Sequence, residues 1–400
     1  MHFVKYWHLV KSKLGVILLV TLIWLIADRM IEYLMPIYLE SLGKSYFEIG
    51  LLLSLTALGG FLFDWPLGNL SDSTSRRKIM VTSVILSIIA SVMIFVFEVN
   101  WILAILMLIW GIAYQMWSVP RDAYLAAHTD HNKRSREYGL FNEVIDIAET
   151  LGPLICGALI LYLGYSGIIN IYAIMLGFAA VIVIFFIKET DHRSMLKAIP
   201  LSFKLSAFIS DLKELKHLGA LGLLLLFYSF SFMALDNVIF LFEPLFCTSE
   251  GMGLSISLAG LLMAFFSIPG ILFSYLFGLI ADKIGKKIVL FVGMVCVGLS
   301  LIFFGSTQSI FLLFVFASLY SLGAAMFLPA LNGLIVDLSY GRQKGKIAGL
   351  WDSFTDFGYF IGPVIGGVIA EFYGLREVYI SLGIFFIAIS LPLVFFTKRK

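Results

Sequence analysis

The feature that most limits this chain is the recurrence of apolar runs of membrane-crossing length. A helix spans the roughly 30 Å hydrocarbon layer of a bilayer in about 20 residues. Twelve runs qualify: about 14–38, 47–70, 77–98, 101–126, 138–163, 166–188, 219–245, 254–279, 286–305, 309–335, 346–371 and 377–397. Hydrophobic residues make up 60% of the 400 and charged residues 14%, against about 45–50% and about 25% in soluble domains. So much apolar surface cannot be buried in one soluble core, and the surplus must face lipid. The expected class is an all-α membrane protein with twelve transmembrane helices in two six-helix bundles.

The longest polar stretch, 189–218, separates six runs from six. The expected organisation is therefore an N-terminal bundle over 1–188, a linker over 189–218 and a C-terminal bundle over 219–400. Within the linker, "FISDLKELKHL" reads either as a short amphipathic helix at the membrane surface or as plain linker. The start, "MHFVKYWHLVKSKLG", has the basic flank of a signal peptide, but the apolar run after it continues to about Ile37. That is too long for a signal-peptide core, so it reads as the first transmembrane helix.

Charge placement sets the orientation. If the N-terminus is cytoplasmic, 24 of the 28 Lys and Arg fall in inner loops and tails, and two, Lys44 and Arg376, fall outside. Loops rich in Lys and Arg stay on the cytoplasmic side. Both termini and the 189–218 linker are thus expected inside, in a multi-pass protein of the cell membrane. The net charge of +2 gives no general attraction to nucleic acid.

The two halves repeat each other. "GNLSDSTSRRK" from Gly68 and "GLIADKIGKK" from Gly278 stand 210 residues apart. "YGLFNEVIDIAETLGPLICGALI" from Tyr138 aligns with "AGLWDSFTDFGYFIGPVIGGVIA" from Ala348 at the same offset, which puts Gly152-Pro153 on Gly362-Pro363 and Asp146 on Asp356. In the first helix of each half the offset is 208, placing Asp28 on Asp236 and Pro36 on Pro244. Parallel six-helix repeats about an axis along the membrane normal are a transporter plan, with substrate bound near midplane between the halves. In each repeated loop, glycine is expected to allow close helix approach, and aspartate (Asp72, Asp282) to cap or salt-bridge a helix end.

These loops resemble the signature of the major facilitator superfamily, G-x-L-x-D-(R)-x-G-R-K. The second copy has Gly278, Asp282, Gly285, Lys286 and Lys287, and the first keeps Gly68, Asp72, Arg76 and Arg77 with Ser75 in the glycine place. "GYFIGPVIGG" from Gly358 resembles the family's antiporter signature G-x-x-x-G-P-x-x-G-G, although that signature marks the fifth helix. The fifth-helix copy here, "AETLGPLICG", has Ala148 and Cys156 in glycine positions. "ADRMIEYLMPIYLESLG" resembles the first helix of the drug:proton antiporter branch. The resemblance implies two pseudo-symmetric bundles and alternating access.

Charges at membrane depth are costly, at about 2.5–3.5 kcal/mol each on insertion scales, and mark functional sites. The predicted spans of the first half hold Asp28, Arg29, Glu32, Asp64, Arg121, Asp122, Glu143, Asp146 and Glu149; those of the second hold Asp236, Asp352 and Asp356, with Glu243 and Asp337 nearer the ends. Asp28 and Glu32, four apart, share a helix face, with Arg29 rotated by about 100°. Arg121 and Asp146 lie at similar depth, so they could pair, and Asp28 as the partner of Arg121 is a rival structural reading. A carboxylate in a low-dielectric cavity holds a proton more readily, and an arginine beside it opposes that. The proton-coupling and substrate candidates are Asp28, Arg29, Glu32, Arg121, Asp122, Asp146, Glu149, Asp236 and Asp356. Tyr33, Tyr114, Trp117 and Trp351 are candidate cavity aromatics for an organic cation, which an aromatic face attracts.

The three cysteines lie in or beside apolar runs without a zinc or disulfide spacing. There is no Walker A loop, G-x-S-x-G or H-E-x-x-H, and no soluble domain large enough for catalysis, so no enzyme and no cofactor are expected. The expected function is proton-coupled secondary transport, as an exporter of small amphiphilic or cationic organic compounds, by a monomer whose partners are substrate, protons and lipid. The alternatives are a proton-driven importer of a small nutrient and a carboxylate-based metal-ion transporter.

Overall fold

The computed structural model describes residues 13–129, 134–187, 219–249, 252–338 and 344–397. The linker and its amphipathic segment lie outside these residues. The described residues form twelve helices and no strand. α1 is Lys13–Ser41, α2 Tyr46–Ser73, α3 Arg76–Ile94 and α4 Asn100–His128. A continuous helical stretch, Arg134–Phe186, contains a break at Gly164 and is two elements, α5 over 134–163 and α6 over 165–186. The second half has α7 Gly219–Thr248, α8 Ile256–Ile284, α9 Lys286–Ser306, α10 Ile310–Leu338, α11 Lys344–Tyr373 and α12 Leu375–Thr397.

Ten stretches among the described residues are long and apolar enough to cross a membrane. One of them, Glu137–Phe186, runs 50 residues, about 75 Å as a single helix, well over twice the hydrocarbon thickness. Gly164 (φ 62°, ψ −177°) breaks it into two crossings. That backbone region is nearly closed to residues with a Cβ. The same device recurs 210 residues later, where Gly374 (φ 102°) separates α11 from α12. α11 is not among the ten, because glycine, threonine and aspartate dilute its apolar content.

Local signals explain several helix starts. Before α2, the Ser45 Oγ accepts from the Glu48 N–H (3.3 Å) and the Glu48 carboxylate accepts from the Ser45 N–H (3.0 Å). This is a reciprocal capping box. Ser75 caps α3 and Ser255 caps α8. Nine helix-interior prolines, among them Pro36, Pro120, Pro153 and their counterparts Pro244, Pro329 and Pro363, are accommodated, as neighbouring helices allow in membrane bundles.

The chain divides into two compact units: residues 1–38 with 55–203, and 39–54 with 204–400. In the first, α3 packs on α4 and on the Arg134–Phe186 stretch. α2 crosses α4 where a Cβ on Gly111 would lie 2.7 Å from the Thr56 carbonyl carbon, and α1 crosses α5 where one on Gly152 would lie 3.0 Å from the Arg29 carbonyl carbon. In the second, α9 packs on α10 and α12, and α7 on α11. There a Cβ on Gly362 would lie 2.9 Å from the Ala234 Cα. Lipid tails give helices no hydrophobic drive to associate, so close packing over small residues does that work. The start of α2 belongs to the second unit, and its Phe47 N–H donates to Glu371 of α11 (3.4 Å). Large apolar side chains stand exposed on outer faces, including Ile85, Ile174, Phe185, Leu272, Tyr275 and Phe372, as a surface solvated by lipid requires.

The repeated loops differ from expectation in one respect. A Cβ on Gly68 would meet nothing within 4 Å, and one on Gly278 would meet only Pro329 at an ordinary 3.7 Å. Close helix approach therefore does not explain these glycines; it occurs at Gly152 and Gly362 instead. The basic residues make the inter-helix contacts. Arg76 donates to the Ala123 carbonyl of α4 (3.0 Å) and Lys286 to the Gly333 carbonyl of α10 (3.3 Å). Both residues of each pair are related by the 210-residue repeat. Lys286 also pairs with Asp337 (2.9 Å), and Arg77 donates to the Ile184 carbonyl (3.2 Å). Asp282 is exposed, and the Asp72 side chain lies outside the described set.

Candidate functional site

In the N-terminal unit, Arg29 stands at the centre of a charged cluster. Its guanidinium pairs with Glu32 one turn on, lies 3.9 Å from Glu149 of α5, and donates to the Tyr114 hydroxyl of α4 at 3.4 Å. The Tyr114 ring also lies under the guanidinium, 5.9 Å away. Gly152 makes this geometry possible, since its missing Cβ is what lets the Arg29 turn of α1 lie against α5. Arg29 is largely buried, while the Glu149 side chain is 41% exposed. One end of the cluster is thus enclosed and the other open.

Asp28, only 3% exposed, lies beside the Trp110 ring nitrogen and near Tyr172. Its Oδ1 is buried without a hydrogen bond. Below the cluster, Trp24 stacks on Trp117 (5.0 Å, 4° between planes) and tilts against Tyr114 (5.4 Å). Tyr33 and Trp117 are fully buried, so in this structure neither presents a face to a ligand.

Arg121 is placed otherwise than its depth suggested. It forms a two-pronged pair with its neighbour Asp122 (2.8 and 3.2 Å) and lies over the Phe141 ring (4.9 Å). This pair takes the place of the one that depth allowed with Asp146, because adjacent residues reach each other without bridging α4 and α5. Nor is Asp28 its partner. Asp146 is half-buried and Glu143 exposed.

In the C-terminal unit, half-buried Asp236 accepts from the Tyr320 hydroxyl (3.0 Å). Asp356 and Trp351 are half-buried on α11, and the Asp352 side chain lies outside the described set. Glu243, expected near a span end, is wholly buried and accepts from the Cys247 thiol (3.2 Å).

Comparing the two units through the repeat is informative. Asp28 and Trp110 correspond to Asp236 and Tyr320, an acid beside an aromatic donor in both. Arg29 and Glu149 correspond to Asn237 and Tyr359. In the second unit that contact is neutral, the Asn237 amide donating to the Tyr359 carbonyl at 2.7 Å. Glu32 and Tyr114 correspond to Phe240 and Ala324. The contact that is charged in the first unit is thus a neutral one in the second.

Trp110, Tyr172 and the serines of α3 are residues that spacing alone did not single out. Ser83, Ser87 and Ser91 recur every four residues and are all fully buried. That stripe is visible in the sequence.

The Major Facilitator Superfamily profile matches residues 17–258 and again 224–400. This chain belongs to the major facilitator superfamily. Over 153 residues it is 31% identical to the quinolone resistance protein NorA of Staphylococcus aureus (strain Mu50 / ATCC 700699), covering 38% of this chain and 39% of that protein. The chain thus spans about two-fifths of the length of the quinolone resistance proteins it matches. It is 26% identical over 402 residues to the MFS-type transporter MJ1560 of Methanocaldococcus jannaschii, covering 95% and 97%. Among solved structures, the nucleoside transporter NupG superposes with a TM-score of 0.74 at 15% identity, covering 97% of this chain and 100% of that one. A bacterial homologue of the human lysosomal transporter Spinster superposes at 0.76 and 15% identity, covering 97% and 96%. At such identities these two structures speak for the fold alone. The family is one of transporters rather than enzymes, and this chain is a multi-pass membrane protein of that family.

Proposed function

We propose that this transporter exports small amphiphilic or cationic organic compounds in exchange for protons. The observation that carries the reading is the charge difference between equivalent crossings. The Asn237–Tyr359 contact closes the α7–α11 crossing without charge. The α1–α5 crossing places Arg29 and Glu149 at the same places, with Glu32 on the same guanidinium. Charges at membrane depth are expensive, and the equivalent contact in the second unit is made by a neutral pair, so folding alone does not account for Arg29 and Glu149. An arginine shared by carboxylates is suited to proton exchange, because moving the cation changes how readily each acid keeps its proton. Asp28 is the carboxylate assigned to coupling, with Glu32 and Glu149 on the arginine.

The half-exposed Glu149 and the Tyr114 face would meet a cationic ligand. The relative named for quinolone resistance supports export of a drug-like substrate. The test is flux of a fluorescent organic cation in inside-out vesicles carrying an acid-inside proton gradient. Accumulation that collapses with the gradient supports proton-driven export. Movement of the cation in the direction of the proton gradient would instead assign import.

A further inference from the structure

Four buried oxygen atoms lie around the Trp110 ring nitrogen inside the N-terminal bundle, beside the Arg29 cluster. They are Oδ1 of Asp28 on α1, the hydroxyls of Ser87 and Ser91 on α3, and the hydroxyl of Tyr172 on α6. The Tyr172 hydroxyl faces both serines, the Trp110 ring nitrogen and the Asp28 carboxylate. All four residues are between 0% and 3% exposed, and none of the four oxygens has a partner at full hydrogen-bond geometry, the Tyr172 hydroxyl only lying against Ser87, Ser91 and the Trp110 ring nitrogen. Buried polar atoms are normally paired, and leaving several unpaired in one place is costly. The fold does not impose them. Through the 210-residue repeat, Ser87, Ser91 and Tyr172 correspond to Val297, Leu301 and Leu382. In the second unit the equivalent acid, Asp236, is closed by the Tyr320 hydroxyl at 3.0 Å.

We propose that Asp28, Ser87, Ser91 and Tyr172 form a binding site for a small monovalent cation, sodium by hardness and ligand type, within the N-terminal bundle. One carboxylate and three neutral hydroxyls are an all-oxygen set, which suits a hard cation. A single positive charge neutralises the single carboxylate. The surrounding charge favours it as well. On α1, α4, α5 and α6 the titratable and charged groups facing this region are Arg29, Glu32, Tyr114, Glu149 and Tyr172. With Asp28 included, three carboxylates face the Arg29 guanidinium, and the second guanidinium nearby, Arg121, is paired with Asp122. A proton and the cation compete for Asp28, so cation affinity falls as pH falls. The site shares Asp28 with the transport reading but does not depend on export or on the Arg29 cluster.

The test uses the purified full chain in detergent at fixed ionic strength, with choline chloride replaced stepwise by sodium chloride. The melting temperature is expected to rise with sodium and saturate, and to rise more at pH 8 than at pH 6. Asp28→Asn should abolish the rise. Ser91→Ala, a smaller change that leaves the charge, should weaken apparent sodium affinity by roughly tenfold or more, and Ser91→Thr should largely restore it. Radioactive sodium binding by equilibrium dialysis reads the same affinities without relying on melting. Sodium-independent melting together with no sodium retained would overturn the site in favour of ordered water. Equal sodium binding by wild type and both Asp28→Asn and Ser91→Ala would overturn it by placing the ion elsewhere. Sodium binding in a protein that fails to export the organic cation would refute the transport reading alone.

Discussion

At Gly152 the absence of one methyl group decides how α1 meets α5. A Cβ there would fall on the Arg29 side chain and backbone. Gly152→Ala is therefore expected to cost about 1–3 kcal/mol through overpacking, seen as a lower melting temperature, and to impair transport by moving Arg29. Gly68→Ala is the opposite case. Its Cβ meets nothing within 4 Å, and alanine is the better helix former, so stability should hold or rise. Equal losses from the two substitutions would mean that packing does not govern these glycines. The acids and arginines at membrane depth were legible from sequence because each interrupts an apolar run. Their partners were legible only in part. The Arg29–Glu32 pair follows from helical spacing, but Glu149 and Tyr114 reach Arg29 only through the rotation of α4 and α5, which no single helix specifies. For the same reason similar depth did not decide whether Arg121 pairs with Asp146. Ser87 and Ser91 carry no such signal, because a serine stripe in a membrane helix reads equally well as small-residue packing.

At the scale of elements, the repeated basic loops act through their cations. Arg76 and Lys286 each reach a backbone carbonyl 47 residues on, in α4 and α10. The second copy adds a carboxylate, Asp337, at a place that is Ala127 in the first unit. Lys286→Met removes both contacts and should cost about 1–2 kcal/mol, a hydrogen bond from a charged donor discounted for partial exposure. Asp337→Asn keeps the carbonyl contact and weakens only an exposed pair, so it should cost under about 1 kcal/mol. Thermal melting of the two variants checks the order, and a larger loss from Asp337→Asn would move the weight of the contact onto the ion pair. The helix boundaries were close to those read from apolar runs, because membrane length and loop polarity leave little freedom. The α5–α6 break was also readable, since no single helix of that length fits a bilayer. The contacts of the repeated loops were not, because a basic residue near a helix start specifies no particular carbonyl.

For the molecule as a whole, the repeat and the distribution of Lys and Arg carry the architecture. The proposed topology places both termini and the 189–218 linker in the cytoplasm. A membrane-impermeant thiol reagent added to intact cells should label Lys44→Cys and spare Met195→Cys; labelling of the latter would invert the topology. The sequence could not say that the charges of the first unit stand where the second has a neutral contact, because that comparison needs Asn237 and Tyr359 placed against each other. The proposed coupling of Asp28 to protons is the central claim. It is tested most directly in proteoliposomes of wild-type and Asp28→Asn protein that are loaded with a fluorescent organic cation and given a proton gradient, with internal pH recorded. Wild type is expected to move protons against the cation and to drive it uphill. Asp28→Asn should fold and still equilibrate the cation downhill, without moving protons or driving uphill flux. An Asp28→Asn protein with full uphill, proton-linked transport would contradict the account.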